Sequence, residues 1–363
     1  MRRRVPSAFS VTPGALLICP PAMDNALNLH DFEELARHSM SSMVYEFVAS
    51  GAADERTLQW NRDAFDRIRL RPRVLQDVVS VDLSVNLFGQ RLPSPILLAP
   101  VAYQRLVHPE GELETARGAG AAGATWIVST SANTSIEEIA SVATAPLWFQ
   151  LYMQSDREFT RDLVARVEAA GCKALVLTVD TPTLGARNRQ ARAGFALPDG
   201  MLTPHLFNVD VSAPARVIVT WRDVEWLRSI ARVPLLLKGI LTADDAERAI
   251  AAGADGVIVS NHGARNLDTL PATIDALPEV AERVAGRIPL LVDGGIRRGT
   301  DIVKALARGA TAALIGRPYC YGLSVAGAAG VTRVVQLLEQ ELEMAMMLLG
   351  RARVADVTRD VLW

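Results

Sequence analysis

From residue 95 onward, short apolar runs alternate with amphipathic segments along the chain. The runs PILLAP (95–100), TWIVST (125–130), LWFQLY (147–152), ALVLTVD (174–180), LLLKGI (235–240), GVIVSN (256–261), PLLVDGG (289–295) and AALIGR (312–317) have the length and near-continuous hydrophobicity of strands buried on both faces. Between them, SIEEIASVA, DREFTRDLVARVEAAG and TADDAERAIAAG carry a helical period, with Ser, Thr or Asp caps in front and, in the last two, Gly behind. Eight such units predict a closed parallel (β/α)8 TIM barrel over an open doubly wound sheet. No G-x-G-x-x-G stands directly at the end of the first strand, which argues against a dinucleotide-binding half. Residues 23–94 read as an N-terminal helical extension with a connecting segment. Residues 181–219, after the fourth strand, form the longest connection, either a lid or a flexible excursion.

Composition narrows the class. The chain has 363 residues, half of them hydrophobic and 21% charged, with no run of 18 apolar residues, so it reads as a soluble globular protein without a membrane span. A net charge of −2 gives no pull on nucleic acid or an anionic membrane. Cys19, Cys172 and Cys320 are odd in number and widely spaced, which fits a reducing, cytoplasmic compartment and offers neither a disulfide framework nor a metal cluster. Residues 1–22 are interrupted by prolines at 6, 13, 20 and 21 and read as a disordered extension rather than a signal peptide, leaving 23–363 as one domain.

In a barrel of this kind chemistry sits at the C-terminal ends of the strands. Standing there in chain order are Ala102, Ser129 and Ser131, Gln150 and Tyr152, Thr178 and Asp180, Lys238, then Ser260, His262 and Arg265, then Asp293 and Arg297, and finally Gly316 and Arg317. Lysine occurs only at 173, 238 and 304, and Lys238 interrupts an otherwise apolar strand. A buried ammonium needs a carboxylate partner or an anionic ligand, and its rarity here favours the ligand. LVDGGIRRGTD, which includes Gly295, and AALIGRP place glycines and arginines where barrels hold a phosphate on backbone N–H groups. His262, with Asp180 able to approach from the fourth strand, can act as a general base. Arg187 and Arg265 can offer two planar forks to a carboxylate.

Together SNHGARNLD, HPEGELETARGAGAAG, QLY, LTVDTPTLG, LLLKG, VDGGIRRGTDIVKALARGA and IGRP resemble the FMN-dependent α-hydroxy acid oxidase and dehydrogenase family, over nearly the whole chain from residue 43. The resemblance implies FMN as cofactor, held by Ala102, Ser129, Gln150, Thr178, Lys238, Ser260, Asp293, Gly295, Arg297, Gly316 and Arg317. It implies His262 as the base, Asp180 as its partner and Tyr152 on the substrate oxygen. Arg187 and Arg265 would bind the substrate carboxylate, and Lys238 would lie near the flavin N1–C2=O edge. On this reading the cluster at 260–268 faces the substrate above the ring.

Two departures from the family pattern bear on the substrate. VYEFVASG places Phe47 where many members have a tyrosine, and Ser131 stands where glycolate-oxidising members carry Trp. Both imply room for an apolar side chain, with Tyr103 as a further wall, as in the mandelate and 4-hydroxymandelate branch. The expectation is a soluble homo-oligomer, tetrameric or octameric, that oxidises an aryl (S)-2-hydroxy acid and passes the electrons to O2. An aliphatic acid such as lactate, or an acceptor other than oxygen, is the alternative.

Overall fold

The computed structural model describes residues 23–206 and 217–363. The reading of residues 1–22 as a disordered extension, and part of the long connection, lie outside them. Helices α1 (Leu29–Ser39), α2 (Ser42–Ala49) and α3 (Arg56–Arg67) come first. A hairpin of β1 (Val85–Leu87) and β2 (Gln90–Leu92) follows. Its turn residues Phe88 and Gly89 both have positive φ, as a tight two-residue hairpin requires. Phe88 packs against Trp148, ring centroids 5.7 Å apart, so the hairpin covers the N-terminal end of the barrel.

The barrel strands are β3 (Ile96–Leu98), β4 (Trp126–Ser129), β5 (Leu147–Leu151), β6 (Leu175–Thr178), β7 (Leu235–Ile240), β8 (Gly256–Val259), β9 (Leu290–Val292) and β10 (Ala312–Ile315). They pair in sequence order, and β10 returns to β3, closing the eight-stranded parallel barrel that the pattern predicts. Most strands are shorter than the apolar runs because the ladder stops where polar residues turn outward. At β9 it stops before Gly294 and Gly295, whose positive φ leaves strand geometry. Strand β7 carries a bulge between Lys238 and Ile240, where Gly239 has φ +112°.

Between the strands run α4 (Glu112–Ala121), α5 (Ile136–Val142), α6 (Arg157–Ala169), α7 (Asn188–Arg192), α8 (Trp221–Ile230), α9 (Ala243–Ala251), α10 (Thr273–Val284) and α11 (Gly299–Ala307). Their caps are local in origin: Ser135 and Glu138 form a capping box on α5, while Asp156 and Thr242 cap α6 and α9. Helix α12 (Arg317–Leu348) begins at the C-terminal end of β10 and packs against α1, α4 and α11. Its length and apolar character therefore serve the shell of the barrel. Helices α2 and α7 lie together over the opposite rim from the hairpin, where the strand ends converge.

Candidate active site

A cavity of about 1220 Å³ opens at this rim. Of the residues singled out from the sequence, all but Asp180 and Ser260 line it, and these two stand directly behind lining residues. The loop after β8 does most of the positioning. His262, Gly263 and Ala264 all adopt positive φ, which is costly for the two that bear a Cβ. The conformation is held by a reciprocal buried amide pair, Asn61 Nδ2 donating to Asn261 Oδ1 at 3.0 Å and Asn261 Nδ2 to Asn61 Oδ1 at 2.8 Å. Asp268 accepts the backbone N–H groups of Asp54 and Thr57 at the start of α3. The cluster at 260–268 therefore does not converge as a whole on the cavity. His262, Gly263 and Arg265 reach it, while Asn261 and Asp268 hold the loop in place.

His262 Nδ1 lies 2.9 Å from Asp180 Oδ1, and its Nε2 lies 3.4 Å from the Tyr152 hydroxyl. Burial lowers the His262 pKa, opposed by the Asp180 carboxylate and assisted by Lys238. Burial alone would raise Asp180, but the His262 ring and Lys238 outweigh it and hold the carboxylate below its ordinary value. At neutral pH the pair is thus an ionised carboxylate and a neutral imidazole, with the proton on Nδ1 and a lone pair on Nε2. Tyr152 is raised by burial and by Asp180, so it keeps its proton and can donate.

Lys238 Nζ donates to Ser260 Oγ at 2.9 Å and lies 3.3 Å from Asp293 Oδ2, with only 5% of its side chain exposed. The sequence-based preference for a ligand over a carboxylate partner needs correcting, because Asp293 supplies the countercharge that burial demands. Burial lowers the Lys238 pKa, yet Asp293 and then Asp180 more than offset it, so the ammonium stays charged. Beside it, Gln150 Oε1 accepts from Ser129 Oγ and the Thr130 N–H, which aims the amide Nε2 away from both.

Four guanidiniums crowd the rim with no acidic partner within ion-pair distance among the described residues. Arg187 Nε donates to the Arg265 carbonyl. Arg265 donates to the Ser50 carbonyl and to Gln190 Oε1. Arg317 donates to the carbonyls of Val48, Ser50 and Gly263, and Arg297 to that of Ile296. Burial lowers the pKa of all four, Arg297 to about 10 and Arg265 well below its ordinary value; neighbouring arginines add to the effect at Arg187, Arg265 and Arg297, while at Arg317 Tyr321 and the more distant Glu33, Glu55 and Asp293 oppose it. Within hydrogen-bonding distance, only carbonyl oxygens among the described residues compensate this charge, an arrangement that anions would relieve.

The polar inventory fits a phosphate-bearing ring cofactor beside a carboxylate. Gln150 Nε2, Asp293 Oδ1 and Arg297 Nε are buried with no partner among the described residues, an expensive state unless a ligand satisfies them. The backbone is bare at the turns beside Arg297 and Arg317: a Cβ on Gly295 would sit 1.9 Å from the Asn61 carbonyl, so only glycine lets that turn pack on α3, while one on Gly316 would meet only Ala99 and Val101, each at 3.8 Å. Such a cradle, next to the N-terminus of α12, suits a phosphate.

One wall is aromatic. Phe47 stacks on Phe195 with centroids 4.8 Å apart and planes 11° off parallel, and Tyr103 leans on it at 6.0 Å. The Arg265 guanidinium covers the Phe47 ring at 5.4 Å. Ser131 lies within hydrogen-bonding reach of the Tyr103 hydroxyl and adds no bulk. Sequence reasoning missed Phe195, which sits on the long connection with no periodic signal to mark it. It also missed Gln190, one helical turn from Arg187 on α7, where i,i+3 spacing was the available clue. Thr181 and Asn266, which contact Asp180 and each other, were missed as well.

The model of a family described as FMN-dependent dehydrogenase matches residues 36–363, and the chain belongs to that family, with FMN as its cofactor. Its relatives are 2-hydroxy acid oxidases. The chain is similar to the L-lactate oxidase of Nostoc sp. (strain PCC 7120 / SAG 25.82 / UTEX 2576), 46% identical over 94% of this chain and 99% of that protein. It is also similar to glycolate oxidase 3 of Oryza sativa subsp. indica, 44% identical over 93% of this chain and 96% of that one. Among solved structures it resembles mandelate oxidase with benzoyl-formic acid, with TM-score 0.88, 43% identity, and coverage of 93% of this chain and 98% of that one.

Proposed function

We propose that the protein oxidises an aryl (S)-2-hydroxy acid, mandelate or its 4-hydroxy form, to the 2-oxo acid, with O2 reduced to hydrogen peroxide. The observation that carries this reading is the wall of Phe47, Phe195 and Tyr103 beside the small Ser131. A ring seated against stacked aromatics gains both burial and offset-stacking energy, whereas a methyl group would leave much of the wall uncovered. Overall identity does not discriminate, since lactate, glycolate and mandelate oxidases are similar to this chain at 42–46%.

In this reading Arg187 and Arg265 bind the substrate carboxylate. Tyr152 donates to the substrate oxygen. His262 Nε2 accepts the substrate's proton as the alcohol becomes a ketone, and Asp180 stabilises the resulting imidazolium. Lys238, Ser129, Gln150 and Thr178 would hold the flavin ring, Asp293 its ribityl chain, and Gly295, Arg297, Gly316 and Arg317 its phosphate. FMN, when bound, supplies the two-electron acceptor, and the chain supplies orientation, the base and charge compensation.

The test is anaerobic bleaching of the flavin absorbance by (S)-mandelate or (S)-4-hydroxymandelate against (S)-lactate at equal concentration. Faster bleaching by the aryl acids is expected. Faster bleaching by lactate would keep the chemistry and overturn the assignment of the aromatic wall.

A further inference from the structure

Thr181 follows Asp180 directly, and its hydroxyl stands between both members of the His262–Asp180 pair. Thr181 Oγ1 is 3.2 Å from Asp180 Oδ1 and 3.3 Å from His262 Nδ1. Asn266 Nδ2 donates to Thr181 Oγ1 at 2.9 Å and to the Asp180 carbonyl at 2.8 Å. The Tyr152 hydroxyl is also within hydrogen-bonding reach of Thr181. The hydroxyl has a single proton to give. The 2.9 Å contact from His262 Nδ1 to an ionised carboxylate places a proton on Nδ1, and a protonated nitrogen cannot accept another. With Asn266 occupying an acceptor position on Thr181, the hydroxyl proton has two acceptors left, the neutral Tyr152 hydroxyl and the ionised Asp180 Oδ1, and the charged oxygen is the stronger.

We propose that Thr181 is a positioning residue for the base: its hydroxyl, aligned by Asn266, shares Asp180 Oδ1 with the His262 ring and so limits the grip of the carboxylate on a protonated imidazole. The proposal rests on the reading of His262 as the base. One carboxylate oxygen then serves two donors, while Oδ2 is buried without a partner among the described residues. An oxygen already engaged by a hydroxyl is a weaker acceptor, so the imidazolium is stabilised less and Nε2 stays unprotonated to lower pH. The other groups facing the ring are Tyr152 after β5, Lys238 on β7 with Asp293 behind it, and Arg187 at the start of α7. Of these, Lys238 and Arg187 disfavour imidazolium, in the same direction as Thr181.

The experiment is nitrogen-15 NMR of histidine-labelled, flavin-loaded protein across pH, run on wild type, Thr181→Val, Thr181→Ser and, to assign the resonance, His262→Asn. Anaerobic flavin reduction by the preferred acid is followed on the same samples. Thr181→Val is expected to raise the His262 pKa, and with it the acid limb of the reduction rate, by about half to one pH unit, the shift that corresponds to one ordinary hydrogen bond. Thr181→Ser is expected to restore the wild-type value, which a purely steric role for the threonine would not do. An unchanged His262 titration in folded, flavin-binding Thr181→Val would overturn the proposal. If instead the titration moves while His262→Asn reduces its flavin at the wild-type rate, Thr181 acts on the ring as proposed and the assignment of the base is what fails.

Discussion

At the scale of single residues the site combines neutral and charged groups according to what burial permits. His262 is kept neutral by burial, and Lys238 is kept charged by Asp293. The two outcomes differ because Asp293 and Asp180 together offset the desolvation of Lys238, whereas at His262 the cationic Lys238 and Arg187 add to burial against Asp180. Lys238→Met makes the dependence measurable, because it leaves the Asp293 carboxylate buried without its cation. A loss on the order of 3–5 kcal/mol is expected in urea unfolding of the flavin-loaded protein. Adding Asp293→Asn should recover most of it, since neither buried charge then remains. Similar instability in the single and double variants would show that the Lys238 methylene packing, rather than the ion pair, is what matters.

At the scale of elements, the walls of the cavity are carried by segments that other elements pin down. Helix α7 is tied to α2 through Arg189, which bridges Glu46 at 2.6 Å and Glu55 at 3.0 Å, and Phe47 and Gln190 both line the cavity and both contact Arg265. Residues 202–206 are pinned to the segment after β4 by Asn133 Nδ2, which donates to the Leu202 carbonyl, and by His205 Nε2, which accepts the Ile136 N–H at 2.9 Å. His205 is fully buried, edge-on to Phe149, and burial, then Arg166, lowers its pKa to about 4, against a weaker opposing effect of Glu137. Between pH 4 and 6.5 the unfolded chain binds a proton there that the folded chain does not. This contribution to stability is therefore complete above pH 6.5 and lost as pH falls toward 4, on the order of 3 kcal/mol. Thermal melting from pH 7.5 to 4.5 should show this slope in the wild type and a flatter one in His205→Gln, whose amide oxygen can accept the Ile136 N–H without titrating. An equal slope in both would mean that other groups dominate acid sensitivity.

At the scale of the whole molecule, a net charge of −2 conceals strong segregation. Arg187, Arg265, Arg297 and Arg317 gather at one rim without an acidic partner within ion-pair distance among the described residues, while other arginines pair with carboxylates on the outer surface, as Arg161 does with Glu158 and Arg287 with Glu247. The rim is therefore strained electrostatically until anions reach it. Removing FMN is expected to lower the melting temperature, and flavin at a thousand times its Kd to stabilise the protein by about 4 kcal/mol. Inorganic phosphate should restore part of the loss in the flavin-free protein, while chloride at equal ionic strength should not. If phosphate has no effect beyond chloride, Arg297 and Arg317 do not form the phosphate cradle.

The sequence by itself determined the barrel. Strands buried on both faces and capped helices are local patterns written in consecutive residues, and their eightfold alternation leaves few ways to bury the apolar faces. It also marked His262, Asp180, Lys238 and the arginines, because polar residues at strand ends stand out against apolar runs. Which of these touch was decided by tertiary structure. Closure of the barrel brings His262 to Asp180 across 82 positions of sequence, and adjacency of β7, β8 and β9 gives Lys238 the carboxylate that the sequence reading passed over in favour of a ligand. The stack of Phe195 on Phe47 depends on how an aperiodic connection packs over the rim, and the roles of Thr181 and Asn266 depend on hydrogen-bond angles and distances. Periodicity records which way a side chain faces, and it carries no record of the distant side chain that it will meet.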